Sequence, residues 1–385
     1  MQSIASDDVF ALTIHADYRC RHSGACCSAD WDVPVELPVY RSLRAAVEGG
    51  RLRQQASAAH LDPFIVEPDL PDDAAAMLER TEAGECVFLE RGTRLCIVHR
   101  DLGEPALPST CRHFPRLAVR DGRGTFITLS HYCPTAASML FRPERKLAIV
   151  SAPPAFPPAE YEGLVVTGDD LPPLLSPTML MDLPGYAAWE RHMVERCADP
   201  DRLPESVLAT LRRDAQLLRS WAPGGPSLAD AVQDLPGGFV DAHGHQTLAP
   251  SLSTFAETME AVPDDLRPAP DEHGLDAAFT TSVRAAWDDF RAPLNRYLGA
   301  KAFASWTAYQ GRGVATIVAG LDAALSLVRV EAARQCRDAG RSLDAGLLLE
   351  AIRSADFMLN HLAVGEELAA QWSRAEEFVK AQISR

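Results

Sequence analysis

The sequence predicts an α+β fold: a cysteine-rich N-terminal module with small β-hairpins, packed on a mainly α-helical C-terminal domain. Three observations carry this prediction. Seven of the nine cysteines fall between Cys20 and Cys133. Two hairpin-like runs, ECVFLERGTRLCIVH and RLAVR-DGRG-TFITL, lie in the same stretch. From residue 184 onward, apolar residues recur mostly at helical spacing. The implied divisions are 1–150 for the cysteine-rich module, 151–183 for a Pro-rich linker and 184–385 for the helical domain. A chain of 385 residues with 47% apolar content can bury more than one core.

Each element follows from local chemistry. FALTI (Phe10 to Ile14) reads as a short strand running into the Cys20 loop, and WDVPVE is extended and punctuated by proline. VYRSLRAAVEGG reads as a helix closed by Gly49 and Gly50. In the first hairpin, Arg91-Gly92-Thr93 forms the turn and each arm carries one thiol, Cys86 and Cys96. In the second, Asp121-Gly122-Arg123-Gly124 is the turn between alternating apolar arms. Cys133-Pro134 then precedes a helix start near Thr135. The Pro-rich segment holds one short strand, GLVVT. Helices are expected over 184–198, 204–221, 252–262, 275–306, 311–338, 342–363 and 366–383, with 222–250 as loop. Trp287, Phe290, Phe303, Trp306 and Trp372 recur at helical spacing and are assigned to the core.

Charge narrows the function. Lys plus Arg number 37 against 53 Asp plus Glu, a net charge of -16. Such a chain repels nucleic acid and anionic lipid and attracts cationic partners, of which a lysine-bearing protein surface is one. The N-terminal residues lack the basic and apolar regions of a secretory signal, and no segment has the roughly 20 apolar residues of a membrane span. The expected location is the cytoplasm. Thiols stay reduced there, so clustered cysteines point to metal rather than to disulfides.

The candidate ligands are Cys20, Cys26, Cys27, Cys86, Cys96, Cys111 and Cys133. Zinc takes four such donors in a closed tetrahedral site, and a four-iron cluster (4Fe-4S) also takes four thiolates. Seven thiols exceed one site, so either some do not ligate or there are two metal positions. Adjacent residues such as Cys26 and Cys27 ordinarily point apart. His99, His113 and His131 lie within three residues of a cysteine and are further candidate donors. Arg112 and Arg116 flank Cys111 and would offset thiolate charge. Cys197 and Cys336 lie in helical patterns as lone small core residues. Asp241, His243 and His245 form a DAHGH run that, without further ligands, reads as loop.

The runs CCSADWDV, CVFLERGTRLCI, LGEPALPSTCRHFPR and SHYCP, in that order from Cys20 to Ala137, resemble the flagellin lysine-N-methylase (FliB-like) family. They also resemble the broader YkgJ-like family of zinc- or iron-chelating proteins. NRYLGAKAF and IRSADFMLNHL are compatible with that family's helical half. Ser23 stands where many members carry a further cysteine, and five residues separate Cys20 from Cys26, so a C-x-x-x-C-x-x-C motif is absent. The resemblance implies a protein lysine N-methylase that uses S-adenosylmethionine, carries an iron–sulfur cluster or zinc on the N-terminal cysteines, and acts on flagellin or another lysine-bearing protein. The alternative is a non-catalytic metal-chelating or iron–sulfur binding protein. Methylation needs a pocket that strips water from the amine and a group that takes its proton. No glycine-rich strand-to-helix loop is present, so the residues themselves assign neither a catalytic nor a methyl-donor site.

Overall fold

The computed structural model describes residues 8–29, 31–66, 70–71, 73–159, 161, 163–165, 173–267, 271–310 and 313–383. Val166 and Thr167 of the predicted GLVVT strand, and Gly311-Arg312 at the predicted start of the 311–338 helix, lie outside these residues. Helix accounts for 49% and strand for 12%, which makes the fold an α+β mixture.

The first half runs β1 (Val9–Leu12), β2 (Pro34–Glu36), α1 (Leu37–Glu48), β3 (Phe64–Ile65), β4 (Ala74–Leu78), β5 (Leu89–Glu90), β6 (Leu95–Cys96), α2 (Ile97–Leu102) and α3 (Ser109–His113). It continues with β7 (Arg116–Asp121), β8 (Gly124–Leu129), α4 (Pro134–Met139) and β9 (Ile149–Ser151). A small core forms where α1 packs on the antiparallel sheet β2-β4-β3. Val33, Val35, Leu43, Phe64, Ala76, Phe88, Leu89 and Val98 fill it, together with Cys27 and Cys86.

The DGRG run folds as the predicted hairpin. Strand β7 pairs with β8 from Arg116↔Leu129 to Asp121↔Gly124, leaving Gly122 and Arg123 as the turn. Gly124 has φ +136°, and a Cβ there would lie 2.5 Å from the Asp8 carbonyl oxygen, so only glycine fits where β8 starts beside β1. Strand β10 (Gly163–Val165) runs parallel to β7, and the sheet order is β10-β7-β8-β1-β9. Side chains alternate across this sheet as the pleat requires. Leu12, Val119 and Phe126 enter the large core, whereas Ala11, Ala118 and Ile127 pack with Tyr18, Cys133, Met139 and Phe156 on the other face.

The second half comprises the hairpin β11 (Leu174–Ser176) and β12 (Met179–Leu180), then α5 (Leu183–Cys197), α6 (Pro204–Leu218), α7 (Leu228–Gln233) and α8 (Ala249–Met259). It ends with α9 (Leu275–Ala278), α10 (Arg284–Trp287), α11 (Arg291–Ala302), α12 (Val314–Ala339), α13 (Ala345–Phe357) and α14 (Gly365–Ile383). Helix α12 is apolar nearly all round, so it sits at the centre and contacts α6, α8, α9, α11, α13 and α14. Asp182 and Asp344 cap α5 and α13 by accepting from the Gly185 and Leu347 amides, at 2.8 and 2.9 Å. Among the described residues, no helix is long and apolar enough to cross a membrane.

Three expectations change. The helix expected over 275–306 is broken by a wide turn at Phe279–Val283 and a tight one at Asp288–Phe290, and it ends at Ala302. Thr281 Oγ1 donates back to the Ala277 carbonyl at 2.9 Å, and Pro293 has no amide to continue the ladder, so both loosen the regular helix. The 222–250 loop contains α7, whose first turn is capped by Ser227. The Pro-rich 151–183 segment, expected as a linker with one short strand, carries that strand as β10 but also puts Leu175 and Met181 into the large core. Trp287 and Phe303 are buried in that core, with Phe290, Trp306 and Trp372 packed against it, as their spacing predicted.

Candidate metal centre

A tight turn over Ala25–Cys27 begins the site. Gly24 enters it with φ +71°, and a Cβ there would lie 2.7 Å from the Arg94 carbonyl oxygen, so glycine is needed to seat the turn on the first hairpin. The turn brings the Cys26 and Cys27 thiols to 3.9 Å, although adjacent side chains ordinarily diverge. Two sulfurs each ~2.3 Å from one tetrahedral ion lie ~3.8 Å apart, so this spacing suits a shared metal. The Cys86 amide donates to the Cys27 carbonyl at 2.7 Å, which ties the hairpin's approach to the same turn. Cys86 precedes the hairpin ladder, pairing with Arg80 in a lone bridge, while Cys96 closes β6. Both expected arms still deliver their thiols to one place.

Electrostatics identify which thiols share that place. Cys96 is drawn down to about 7 because the Cys27 thiol donates to it and the Val98 and His99 amides of α2 face its sulfur, against the effect of burial. The Cys27 thiol likewise lowers Cys26. Cys27 itself keeps its proton, raised by its bonds to Cys26 and Cys96 and by burial. Burial pushes Cys86 up to about 12, and Cys96 and Cys26 push the same way. Cys111, on α3, is raised by burial and by Cys86, Cys26 and Cys96. Five thiols therefore interact as one group: Cys26, Cys27, Cys86, Cys96 and Cys111. Arg80, which no sequence signal singled out, is the cation that lowers Cys86 and Cys111. Arg116 instead lies over the Tyr18 and Phe156 rings, at 5.9 and 5.8 Å, and donates to the Arg112 carbonyl.

Cys20 and Cys133 stand to one side. Tyr18 Oη lies 3.7 Å from Cys133 Sγ; burial raises the Cys20 thiol, and Cys26 and Cys133 push it the same way, so Cys20 links this pair to the group. His22 Nδ1 is 3.9 Å from Cys20 Sγ, and the His22 ring lies tilted against His99, with centroids 4.6 Å apart. His113 shares a 3.2 Å hydrogen bond with Ser109. His131 turns away from the thiols, with Nε2 3.2 Å from His15 Nε2. Among the described residues, no group of three or more His, Cys, Asp or Glu side chains is placed so that it could hold a metal ion. The donor chemistry nevertheless fits a thiolate-bound metal: five thiols interact, two of them drawn toward the thiolate form that soft metals require.

An aromatic junction adjoins the group. Trp31 lies 5.1 Å from Phe114, 5.8 Å from Tyr132, 6.3 Å from Phe357 and 4.7 Å from His361, between ring centroids. Tyr132 lies 4.6 Å from Phe357 and donates its hydroxyl to the Ala25 carbonyl at 3.4 Å, which couples the helical layer to the thiol turn. The wide turn Met358–Leu362 that ends α13 is what places His361 against these rings.

Behind the junction lies a buried polar network centred on Asp356. Its carboxylate accepts from Lys301 Nζ (2.8 Å), Ser130 Oγ (3.1 Å), the His131 amide (2.6 Å), Asn360 (2.8 Å) and Tyr297 (3.3 Å). Burial acts to raise Asp356, but Lys301, His131 and His361 outweigh it and hold the acid well below the usual range. Burial lowers His131 and His361 to about 4 each, and lowers His15 strongly. The Nδ1 atoms of His15 and His131 are buried without partners. A cavity of about 60 Å³ bounded by Lys301, Asn360 and Trp306 lies next to this network.

Two larger clefts lie in the helical part. One of about 550 Å³ is lined by Arg191, His192, Glu195, Arg196 and Phe239. The other, about 220 Å³, is lined by His243 and His245 of the DAHGH run with Arg284 and Arg329. Two arginines beside those histidines are the wrong charge for a cation site, so this run stays a loop. Comparison with family models, with curated proteins and with solved structures gave no match.

Proposed function

We propose that this chain is a protein lysine N-methylase of the flagellin-modifying kind, with an iron–sulfur cluster or zinc on its N-terminal cysteines and S-adenosylmethionine as methyl donor. The observation that carries the metal part is the five-thiol group assembled from four chain segments, with the Cys26 and Cys27 sulfurs 3.9 Å apart. The motifs that resemble the lysine methylases supply the same thiols, and that resemblance carries the enzymatic part. Cys26, Cys27, Cys86, Cys96 and Cys111 would hold the centre; Cys20 and Cys133, beside Tyr18, would form a second, looser thiol pair. When bound, such a centre cross-links the small core or, as an iron–sulfur cluster, adds redox capacity.

The reaction moves one methyl group. The carbon–sulfur bond of the sulfonium breaks with its electron pair going to sulfur. The lysine nitrogen lone pair forms the new carbon–nitrogen bond, and the amine's proton leaves to a base. An acidic chain with a net charge of -16 suits a lysine-bearing protein such as flagellin, and neither nucleic acid nor membrane is a partner in this reading.

One observation favours a second reading, a non-catalytic metal-chelating or iron–sulfur protein. The three cavities described above are lined by residues outside the thiol group, which keeps the thiols apart from those cavities. Incubation of anaerobically purified protein with S-adenosylmethionine and a flagellin or other lysine-rich protein separates the readings. Methyl-lysine in the product, lost with Cys26→Ser, is the expected result. Metal binding without methyl transfer would leave the second reading standing.

A further inference from the structure

We propose that the cleft of about 220 Å³ beside the DAHGH run is a binding site for a small oxyanion, a carboxylate or a phosphate. Arg329, on α12, carries the argument. It is only 2% exposed, yet it lines this cleft. One of its nitrogens, Nη2, donates to Glu205 Oε1. Among the described residues nothing accepts from Nε or Nη1, and neither of these atoms is sealed in the interior. Their N–H bonds therefore open on the cleft, the space that Arg329 borders. A guanidinium taken out of bulk water with donors unspent is costly until an acceptor meets them.

The walls are held in place. Ser206 Oγ, at the start of α6, donates to the Ala242 carbonyl at 3.0 Å and accepts from the Ala242 amide at 3.1 Å. This pins the loop that brings His243, His245 and Gln246 to the cleft. Arg284 of α10 reaches Gln246 Oε1 at 3.1 Å. The Trp287 indole donates to Glu205 Oε1 at 3.1 Å, and its ring lies 5.4 Å from the Arg329 guanidinium. Burial and the Arg329 charge lower His245, so it stands neutral and offers one N–H. The lining thus carries two guanidinium groups, Arg284 and Arg329, against one carboxylate, the exposed Asp288. Glu205 Oε1 is already spent on Arg329 and Trp287. This balance turns a cation away. An apolar guest would leave the Arg329 donors unmet, whereas charged oxygens are their strongest acceptors. The net charge of -16 repels nucleic acid, and the cleft admits only a compact molecule, so the anion is small. The site stands independently of the methyl-transfer reading.

The test is calorimetric titration of the full-length protein at low ionic strength with sodium phosphate and, separately, with sodium benzoate, using sodium chloride as the control. Saturable binding of at least one oxyanion at one site per chain, with none for chloride at the same concentration, is expected. Arg284→Gln, at an exposed position, should keep the fold and weaken binding about tenfold. Arg329→Lys keeps a positive partner for Glu205 but loses the guanidinium donors, and should weaken binding about tenfold as well. Should that variant fail to fold, Arg284→Gln decides. Tighter binding of phosphate than of benzoate assigns a phosphate ligand, and the reverse order assigns a carboxylate. No saturable binding of either oxyanion to the unmodified protein, equal binding of chloride, or unchanged affinity in Arg284→Gln overturns the proposal.

Discussion

Cys197 and Cys336 sit singly in the helical layer, whereas Cys26, Cys27, Cys86, Cys96 and Cys111 share the small core near the hairpins. The lone thiols behave as small hydrophobes, and burial pushes Cys197 up to about 12 and raises Cys336. The grouped thiols act on one another: Cys27 holds its proton and thereby pulls Cys96 down to about 7 and lowers Cys26. The same residue type is inert filler in one region and a poised donor set in the other. What differs is neighbours, not burial, because Cys27 and Cys197 are both buried.

The regions also differ in what holds them. The helical layer has an extensive apolar core around α12, with Trp189, Tyr186 and Tyr297 fully buried. The small core rests on short strands of two to five residues and one 12-residue helix. Cores of this size gain most from a cross-link. Metal removal is therefore the harshest way to divide the two regions. Chelation should abolish protection from hydrogen exchange over residues 31–102 and leave α12 protected; equal loss in both would break the comparison. Structural metal in small domains is worth on the order of 10 kcal/mol, so the effect should be all-or-none. Cys26→Ser, Cys96→Ser and Cys111→Ser should each lose metal by elemental analysis, while Cys197→Ser and Cys336→Ser keep it. Full retention in all three of the first group would refute the ligand assignment.

Next in size is the network joining the sheet to the helices. Asp356→Asn removes the charge that Lys301 faces inside the protein, and unfolding in urea should show a loss of ~3–5 kcal/mol. Tyr297→Phe deletes one neutral donor to the same carboxylate and should cost only ~1 kcal/mol.

A smaller effect is pH dependence. His361 titrates at about 4 in the folded chain against an ordinary 6.5, so the unfolded chain takes the proton first. Its contribution is complete above pH 6.5 and is lost as pH falls toward about 4. Asp356 has the same sign and acts at lower pH, since its acid is held below the usual range and stability is lost as it protonates. Melting temperature should thus fall between pH 6.5 and 4, less steeply in His361→Gln. A parallel profile in that variant would remove His361 from the account. Cys197→Ser should leave the metal untouched and cost ~1–3 kcal/mol for a buried hydroxyl.

Much of the scaffold was legible in the sequence because it depends on local chemistry. The DGRG turn, the alternating arms of β7 and β8, the Gly49-closed helix and the spacing of α5 and α6 are properties of neighbours in the chain. The breaks at 279–283 and 288–290 were not, because Thr281 and Pro293 act against a strong helical period. At the site, the sequence named the thiols, and the structure gathers five of them, with Cys20 linking Cys133 to the group. It could not show that Cys26 and Cys27 converge, since that needs Gly24 in a left-handed conformation against Arg94. Arg80 was invisible because it reaches the thiols through a bridge to Cys86. The aromatic junction joins residues as far apart as Trp31 and His361, and no short motif reports such a meeting.

The most direct test of the thiol group as a metal centre is metal and acid-labile sulfide analysis, with a visible spectrum, on anaerobically purified protein and on Cys27→Ser. Bound iron with sulfide, or bound zinc, in the unmodified protein and its loss in the variant is the predicted result. Metal-free protein with an intact fold, or full metal retained in Cys27→Ser, would contradict it.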